Sequence, residues 1–289
     1  MITINANAKI NLTLDILGKR DDGYHEVSMI MQSINLFDTL TFTKLEANEG
    51  IVLHGDVKGV EKPEDNLIYK AAKLFLDTYK INSGVEINLI KRIPVAAGLA
   101  GGSADAAAVF RGLNALFEMN IGINQLCKMA QTLGSDIPFC LMGGTMLATG
   151  RGEILQEISS MPKTDLVLVK PRVDVSTAWV YKNYHKVADS VIHPNNKLMR
   201  KALLKKDVEQ ICNNLGNVLE AVTIPEYPEI ATIKQTLCEY GAIKAMMSGS
   251  GPTVFALVDS QESAKLIANK IQSDFDADVF VVQTVGKNF

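Results

Sequence analysis

The sequence predicts an α+β fold in two units, and three observations carry that reading. Apolar residues alternate with polar ones from Ile2 to Ile16, the period of a half-buried strand. Later segments carry apolar residues at helical spacing, but strands and helices do not alternate strictly, so mixed α+β layers fit better than a doubly wound parallel sheet. Gly143–Gly144 and Gly150–Arg151–Gly152 interrupt the pattern and put a boundary near residue 150, giving units of residues 1–150 and 151–289.

Each element follows from a local pattern. Ile2, Ile4, Ala6, Ala8, Ile10, Leu12, Leu14 and Ile16 keep the period of two. Arg20–Asp21–Asp22–Gly23 is a turn, and residues 27–36 and 39–43 read as two strands. Residues 66–79 form a helix with Leu67, Ala71, Leu74, Phe75 and Tyr79 on one face. A strand at 85–90 and a small-residue loop at 94–102 lead into a helix at 103–117, burying Ala107, Phe110, Leu113 and Phe117, and a helix at 124–133. In the second unit, strands are expected at 166–170, 242–247, 253–258 and 277–284. Helices are expected at 177–186, 197–204, 208–221, 228–240 and 261–272. No internal repeat appears.

The composition narrows the function. The chain has 289 residues, 47% of them apolar and 21% charged, as in ordinary globular enzymes. A formal charge of −3 supplies no basic field for nucleic acid or an anionic membrane, so an anionic ligand must be met by local donors. No apolar run approaches the roughly 18 residues of a membrane span. The first residues lack a cationic cap followed by an apolar core, so no signal peptide is expected and the protein is read as cytoplasmic. Cys127, Cys140, Cys212 and Cys238 form no C-x-x-C pair and are read as reduced core thiols, with no metal site.

The most informative stretch is Pro94, Val95, Ala96, Ala97, Gly98, Leu99, Ala100, Gly101, Gly102, Ser103, Ala104 and Asp105, between an expected strand and an expected helix. Its glycines let a ligand approach the backbone, and converging N–H groups with a helix N-terminus make an anion cradle. The stretch is neither a Walker A sequence nor G-x-G-x-x-G. A plain strand-to-helix turn with Ser103 as N-cap is the alternative. Ser248, Gly249, Ser250 and Gly251 form a second glycine loop between two strands, which alone could be a hairpin turn.

Ala8–Lys9–Ile10–Asn11–Leu12, residues 94–105 and residues 247–253 together resemble the three signature motifs of the GHMP kinases, in order and across nearly the whole chain. The resemblance implies the two-domain fold of that family. Its N-terminal unit would be nucleotide-binding and catalytic, its α+β C-terminal unit would lie on the substrate side, and the active site would lie in the cleft between them. It implies transfer of the γ-phosphoryl group of ATP, with Mg²⁺ carried by the nucleotide, to a hydroxyl of a soluble metabolite. Residues 18–25 and 134–139 are similar to the members whose acceptor is a cytidine-diphosphate-linked polyol of the non-mevalonate isoprenoid pathway. No nucleic-acid or membrane partner is implied.

By resemblance, Lys9 and Asp136 are catalytic, Asp136 taking the hydroxyl proton and Lys9 holding the carboxylate ionised. Alone, Lys9 reads equally as a snorkelling lysine and Asp136 as a turn former. Asn66, Leu67, Lys91 and the loop from Pro94 to Ser103, with Asp105, are implied to bind ATP. Asn11, Tyr24, His25, Met31, Thr177, Tyr181, Ser248, Gly249, Ser250 and Gly251 are implied to bind the acceptor, His25 through the base edge and an aromatic ring through stacking. Met31 stands where some members have an aromatic residue, and Asp105 where some have Asn. A carboxylate beside phosphates is repulsive unless it faces away or meets the metal. Another GHMP kinase, or a non-catalytic ligand sensor of that fold, remains open. The Tyr24–His25 pair speaks against the first, and the intact Lys9, Asp136 and glycine loops against the second.

Overall fold

Two long strands form the spine of the protein: β1 (Ile2–Lys19) and β2 (His25–Leu45), antiparallel along nearly their whole length. The structure, a computed structural model, describes residues 1–55 and 62–287. The remaining elements are β3 (Ile51–His54), α1 (Leu67–Tyr79), β4 (Gly84–Ile90), α2 (Gly101–Leu116), α3 (Ile123–Ala130), α4 (Ile137–Met142), β5 (Thr145–Thr149) and β6 (Ile154–Glu157). Then follow β7 (Asp165–Pro171), α5 (Thr177–Asn183), α6 (Asn196–Lys205), α7 (Val208–Asn213), β8 (Gly216–Asn217), α8 (Glu220–Glu226), α9 (Glu229–Glu239), β9 (Lys244–Met247), β10 (Val254–Val258), α10 (Gln261–Asp274) and β11 (Ala277–Gln283).

The first sheet runs β3-β4-β2-β1-β8, with β5 also on β2 and β6 on β5. The two strands expected at 27–36 and 39–43 are one strand that changes partner. Met29 to Gln32 pair with β5, and Thr39 to Leu45 pair with β4. Near the change-over, the Asp38 carboxylate accepts the N–H groups of Arg92 and Ile93, tying down the chain after β4. Gly143–Gly144 and Gly150 do not end the first sheet, because β5 and β6 lie between and beyond them. The second sheet, β11-β7-β10-β9, is antiparallel throughout and begins at Asp165.

The helix expected at 208–221 is not continuous. It stops at Asn213, and Gly216–Asn217 pair in parallel with Thr13–Leu14 of β1 before α8 starts. The second half of the chain thereby supplies an edge strand to the first sheet. A return contact is made by Val285, whose N–H donates to the Ser33 carbonyl at 3.0 Å.

The core of the first sheet is roofed by α2 and, over it, α1. The rings of Phe75 and Phe110 meet 6.5 Å apart between these helices, and both are fully buried. Gly112 lets α2 lie directly on the sheet, since a Cβ there would fall 2.3 Å from the Phe42 ring. No two of the cysteines form a disulfide. Cys140 and Cys212 are buried and Cys127 half-buried, but Cys238 is exposed and so is not a core thiol. Among the described residues no helix is long and apolar enough to cross a membrane.

Candidate active site

Lys9 owes its position to a bulge. The β1–β2 register slips between Asn7 and Lys9, and the Lys9 N–H donates instead to the Leu99 carbonyl of the 94–105 loop at 3.1 Å. Its side chain is buried, and Nζ donates to Asn11 Oδ1 at 2.6 Å and to the Gly98 carbonyl at 3.0 Å. Burial pushes the ammonium below its ordinary range, and the negative charge of Asp136 draws it back up. Asp136 stands at the N-cap of α4, yet its side chain makes no capping bond. The reading of Asp136 as a mere cap therefore has no hydrogen bond to support it.

The 94–105 loop turns through left-handed backbone at Ala96, Gly98 and Ala100. Glycine is required at Gly98, where φ is +72° and a Cβ would lie 2.1 Å from the Ser248 carbonyl. The helix begins at Gly101, with Ala100 rather than Ser103 at its N-cap and no side chain capping it. First-turn N–H groups are thus free of side-chain caps and set to receive anionic oxygen. Asp105 does not repel the loop, because it faces Lys91. Lys91 Nζ donates to Asp105 Oδ2 at 2.7 Å and also to Asp38. Burial pushes the Asp105 carboxyl up to about 7, with Lys91 lowering it and Asp38 raising it.

These groups open on one cleft of about 1040 Å³. Lys9, Asn11, Asp136, Asn66, Leu67, Lys91 and the loop residues line it, apart from Leu99 and Ala104, whose side chains are buried. Asn66 also caps α1, accepting the Ile68 N–H at 2.9 Å. Tyr24, His25, Thr177 and Tyr181 line the other end. The His25 and Tyr181 rings are 5.5 Å apart and tilted by 46°. Burial pushes the Tyr181 phenol well up, and the charge of Asp136 adds to it, so the ring keeps its proton. Gly249 and Ser250 reach the cleft, but Ser248 and Gly251 do not. Ser248 is buried and donates to the Gly98 carbonyl at 3.0 Å, bracing the 94–105 loop rather than facing the cleft.

Met31 is a correction. It is fully buried, between Asn11 of β1 and Met146 of β5, and does not line the cleft. Met29 lines it instead, its sulfur accepting from Asn11 Nδ2 at 3.3 Å. The sequence reading also missed Arg151, Lys182 and Lys19, all on the wall beside Tyr24 and His25. The Arg151 guanidinium lies over the Tyr24 ring, 4.9 Å from its centroid. Its flanking glycines read only as a chain break, although a cation between two glycines can also mark a ligand loop.

Known proteins are similar to this chain in sequence and fold. The family model for the GHMP kinases N terminal domain matches residues 66–144, and that for the GHMP kinases C terminal matches residues 199–277. A 4-diphosphocytidyl-2-C-methyl-D-erythritol kinase of Acetivibrio thermocellus is 48% identical over 284 residues, covering 98% of this chain and 99% of its own. The same-named kinase of Bacillus pumilus is 46% identical, covering 98% and 96%. A crystal structure of 4-(cytidine 5'-diphospho)-2C-methyl-D-erythritol kinase superposes with a TM-score of 0.85 at 30% identity, covering 99% of this chain and 100% of that one. A homoserine kinase of Cytophaga hutchinsonii shares the fold, with a TM-score of 0.75 at 20% identity and coverage of 99% and 95%.

Proposed function

This chain belongs to the GHMP kinases, and from that premise we propose that it moves the γ-phosphoryl group of ATP to the 2-hydroxyl of 4-diphosphocytidyl-2-C-methyl-D-erythritol, giving the 2-phosphate and ADP. The observation that carries the reading is convergence. One cleft joins a buried lysine, an uncommitted aspartate, two glycine loops and, at its far end, a histidine and an aromatic ring. A volume of about 1040 Å³ exceeds what one small acceptor needs and suits a nucleotide beside a second, nucleobase-bearing ligand.

In the proposed mechanism, Asp136 accepts the proton of the attacking hydroxyl. Lys9 keeps that carboxylate ionised and faces the charge that gathers as the phosphoryl group transfers. The uncapped first turn of α2 and the 94–105 backbone receive the ATP phosphates. His25 and Tyr181 hold the cytosine, and Arg151 and Lys182 offer charge to the diphosphate. Among the described residues no group of three or more His, Cys, Asp or Glu is placed to hold a metal ion. Mg²⁺ would arrive on the nucleotide, and the Ser103 hydroxyl, which lines the cleft, would be a protein oxygen able to hold it. Such an ion would neutralise charge on the β- and γ-phosphates. The proposed compartment is the cytoplasm, where ATP is supplied.

The test is turnover with ATP and the cytidyl acceptor, followed by ADP release and phosphorus NMR of the product, beside homoserine, mevalonate and free methylerythritol phosphate. Phosphorylation of the cytidyl acceptor alone is expected. Comparable use of homoserine or mevalonate would overturn the acceptor and leave a GHMP kinase of another specificity.

A further inference from the structure

Asn217 is buried and spends its whole carboxamide on the segments around it. Nδ2 donates to the carbonyls of Met247 at 2.9 Å and Gly249 at 2.7 Å, and Oδ1 accepts the Leu219 N–H at 3.0 Å. Its backbone belongs to β8, paired with Leu14 of β1. One residue thus joins the strand that carries Lys9 and Asn11 to the loop that carries Gly249 and Ser250.

That loop presses on the reacting centre. A Cβ on Gly249 would stand 3.3 Å from Lys9 Nζ and 3.1 Å from the Gly98 carbonyl. The same Gly98 carbonyl accepts both Lys9 Nζ and Ser248 Oγ, each at 3.0 Å. A small movement of residues 248–250 would therefore shift the carbonyl that orients the Lys9 ammonium. Thr223 gives a second tie, its buried Oγ1 donating to the Ser250 carbonyl at 3.1 Å. Ser250 Oγ in turn meets Thr177 Oγ1 at 2.8 Å on the acceptor wall.

We propose that Asn217, assisted by Thr223, is a positioning residue for phosphoryl transfer. It fixes the second glycine loop against Gly98 and so sets the aim of Lys9. The inference rests on reading Lys9 and the two glycine loops as the reacting centre. Asn217 touches neither substrate, and its effect falls on geometry, where small misplacements are costly.

Asn217→Asp is nearly isosteric and keeps the acceptor for Leu219. It removes both donors at nearly constant volume, so packing is kept while the tie to the Met247 and Gly249 carbonyls is lost. Thr223→Val likewise keeps shape and removes one donor. In Asn217→Asp, kcat should fall by about 10- to 100-fold, while KM for the acceptor and Kd for an ATP analogue stay within about twofold. Thr223→Val should shift kcat the same way by less. The amides of Ser248 and Gly251, which donate to the Thr253 and Ser248 carbonyls, should exchange hydrogen about tenfold faster in Asn217→Asp, with β10 amides unchanged. Wild-type kcat in a folded Asn217→Asp protein overturns the proposal, as does faster exchange spread evenly over all strands. Should Asn217→Asp not fold, Thr223→Val decides, and wild-type kcat there overturns it. If the wild-type protein leaves the cytidyl acceptor untouched, the acceptor assignment falls. The exchange measurement then judges Asn217 by itself, unaltered loop amides counting against it.

Discussion

Asp136→Asn is expected to lower kcat by about 10²–10⁴-fold, the loss a missing general base gives, while an ATP analogue binds as before. Its side chain caps nothing, so the fold should survive. Near wild-type kcat in a variant with an unchanged circular dichroism spectrum would remove it as the base. Asp105 makes a different prediction. Two carboxylates, Asp38 and Asp105, share the single Lys91 ammonium, and burial pushes Asp105 up to about 7 from 3.8. Such a carboxyl holds its proton more tightly in the native than in the unfolded chain. Stability therefore rises as pH falls from about 7 towards 4, and the full cost of the buried charge is met above 7. Asp105→Asn removes that cost, and should raise Tm at pH 8 by about 2–4 °C, a shift that about 1 kcal/mol gives in larger domains. The gap should close as pH falls towards 4. Melting curves of both proteins across that range check it, and a gap independent of pH sinks it. That Lys9 and Asp136 share one cleft was legible because their neighbours form motifs. The Lys91 pairing with Asp38 was not, since it joins residues 53 apart in the chain and leaves no periodic trace.

At the level of elements, Gly112 sets helix propensity against packing. Alanine in a helix gains about 1 kcal/mol over glycine. In α2 its Cβ would meet the fully buried Phe42 ring at 2.3 Å, and overpacking costs about 1–3 kcal/mol. With the Cβ so deep in the ring the clash should win, so Gly112→Ala is expected to lose up to about 2 kcal/mol, read as a lower urea midpoint with unchanged slope. A more stable variant would mean that α2 does not bear on the sheet there. The long helices were legible because α1 and α2 each repeat an apolar stripe over several turns. What escaped was short. The α4 helix has six residues, with Pro138 in its first turn, and reads as part of the turn that precedes it. Strands β5 and β6 sit beside glycine pairs that look like breaks. Two-residue β8 exists only because β1 offers it an edge. The apolar spacing of α7 runs on past Gly216 into α8, so one helix was read where there are two.

For the whole molecule the question is how the cleft proposed to hold ATP also selects its acceptor. His25→Ala should reduce kcat/KM for the cytidyl acceptor by about tenfold or more, because a stacked or edge-bonded base contributes about 1–3 kcal/mol, while the Kd of an ATP analogue holds. Equal kcat/KM in the variant would take the cytidine pocket out of the proposal. The motif order made this end of the cleft partly readable, but Arg151 and Lys182 were not, since isolated surface charges carry no pattern. The pairing of β8 with β1 has one more consequence, and it falls on biosynthesis. A chain leaving the ribosome presents Thr13 and Leu14 some two hundred residues before Gly216 and Asn217 follow. At about 5–20 residues per second β1 keeps an open edge for roughly 10–40 seconds, the interval in which a nascent chain is most exposed to pairing with its neighbours on the same message.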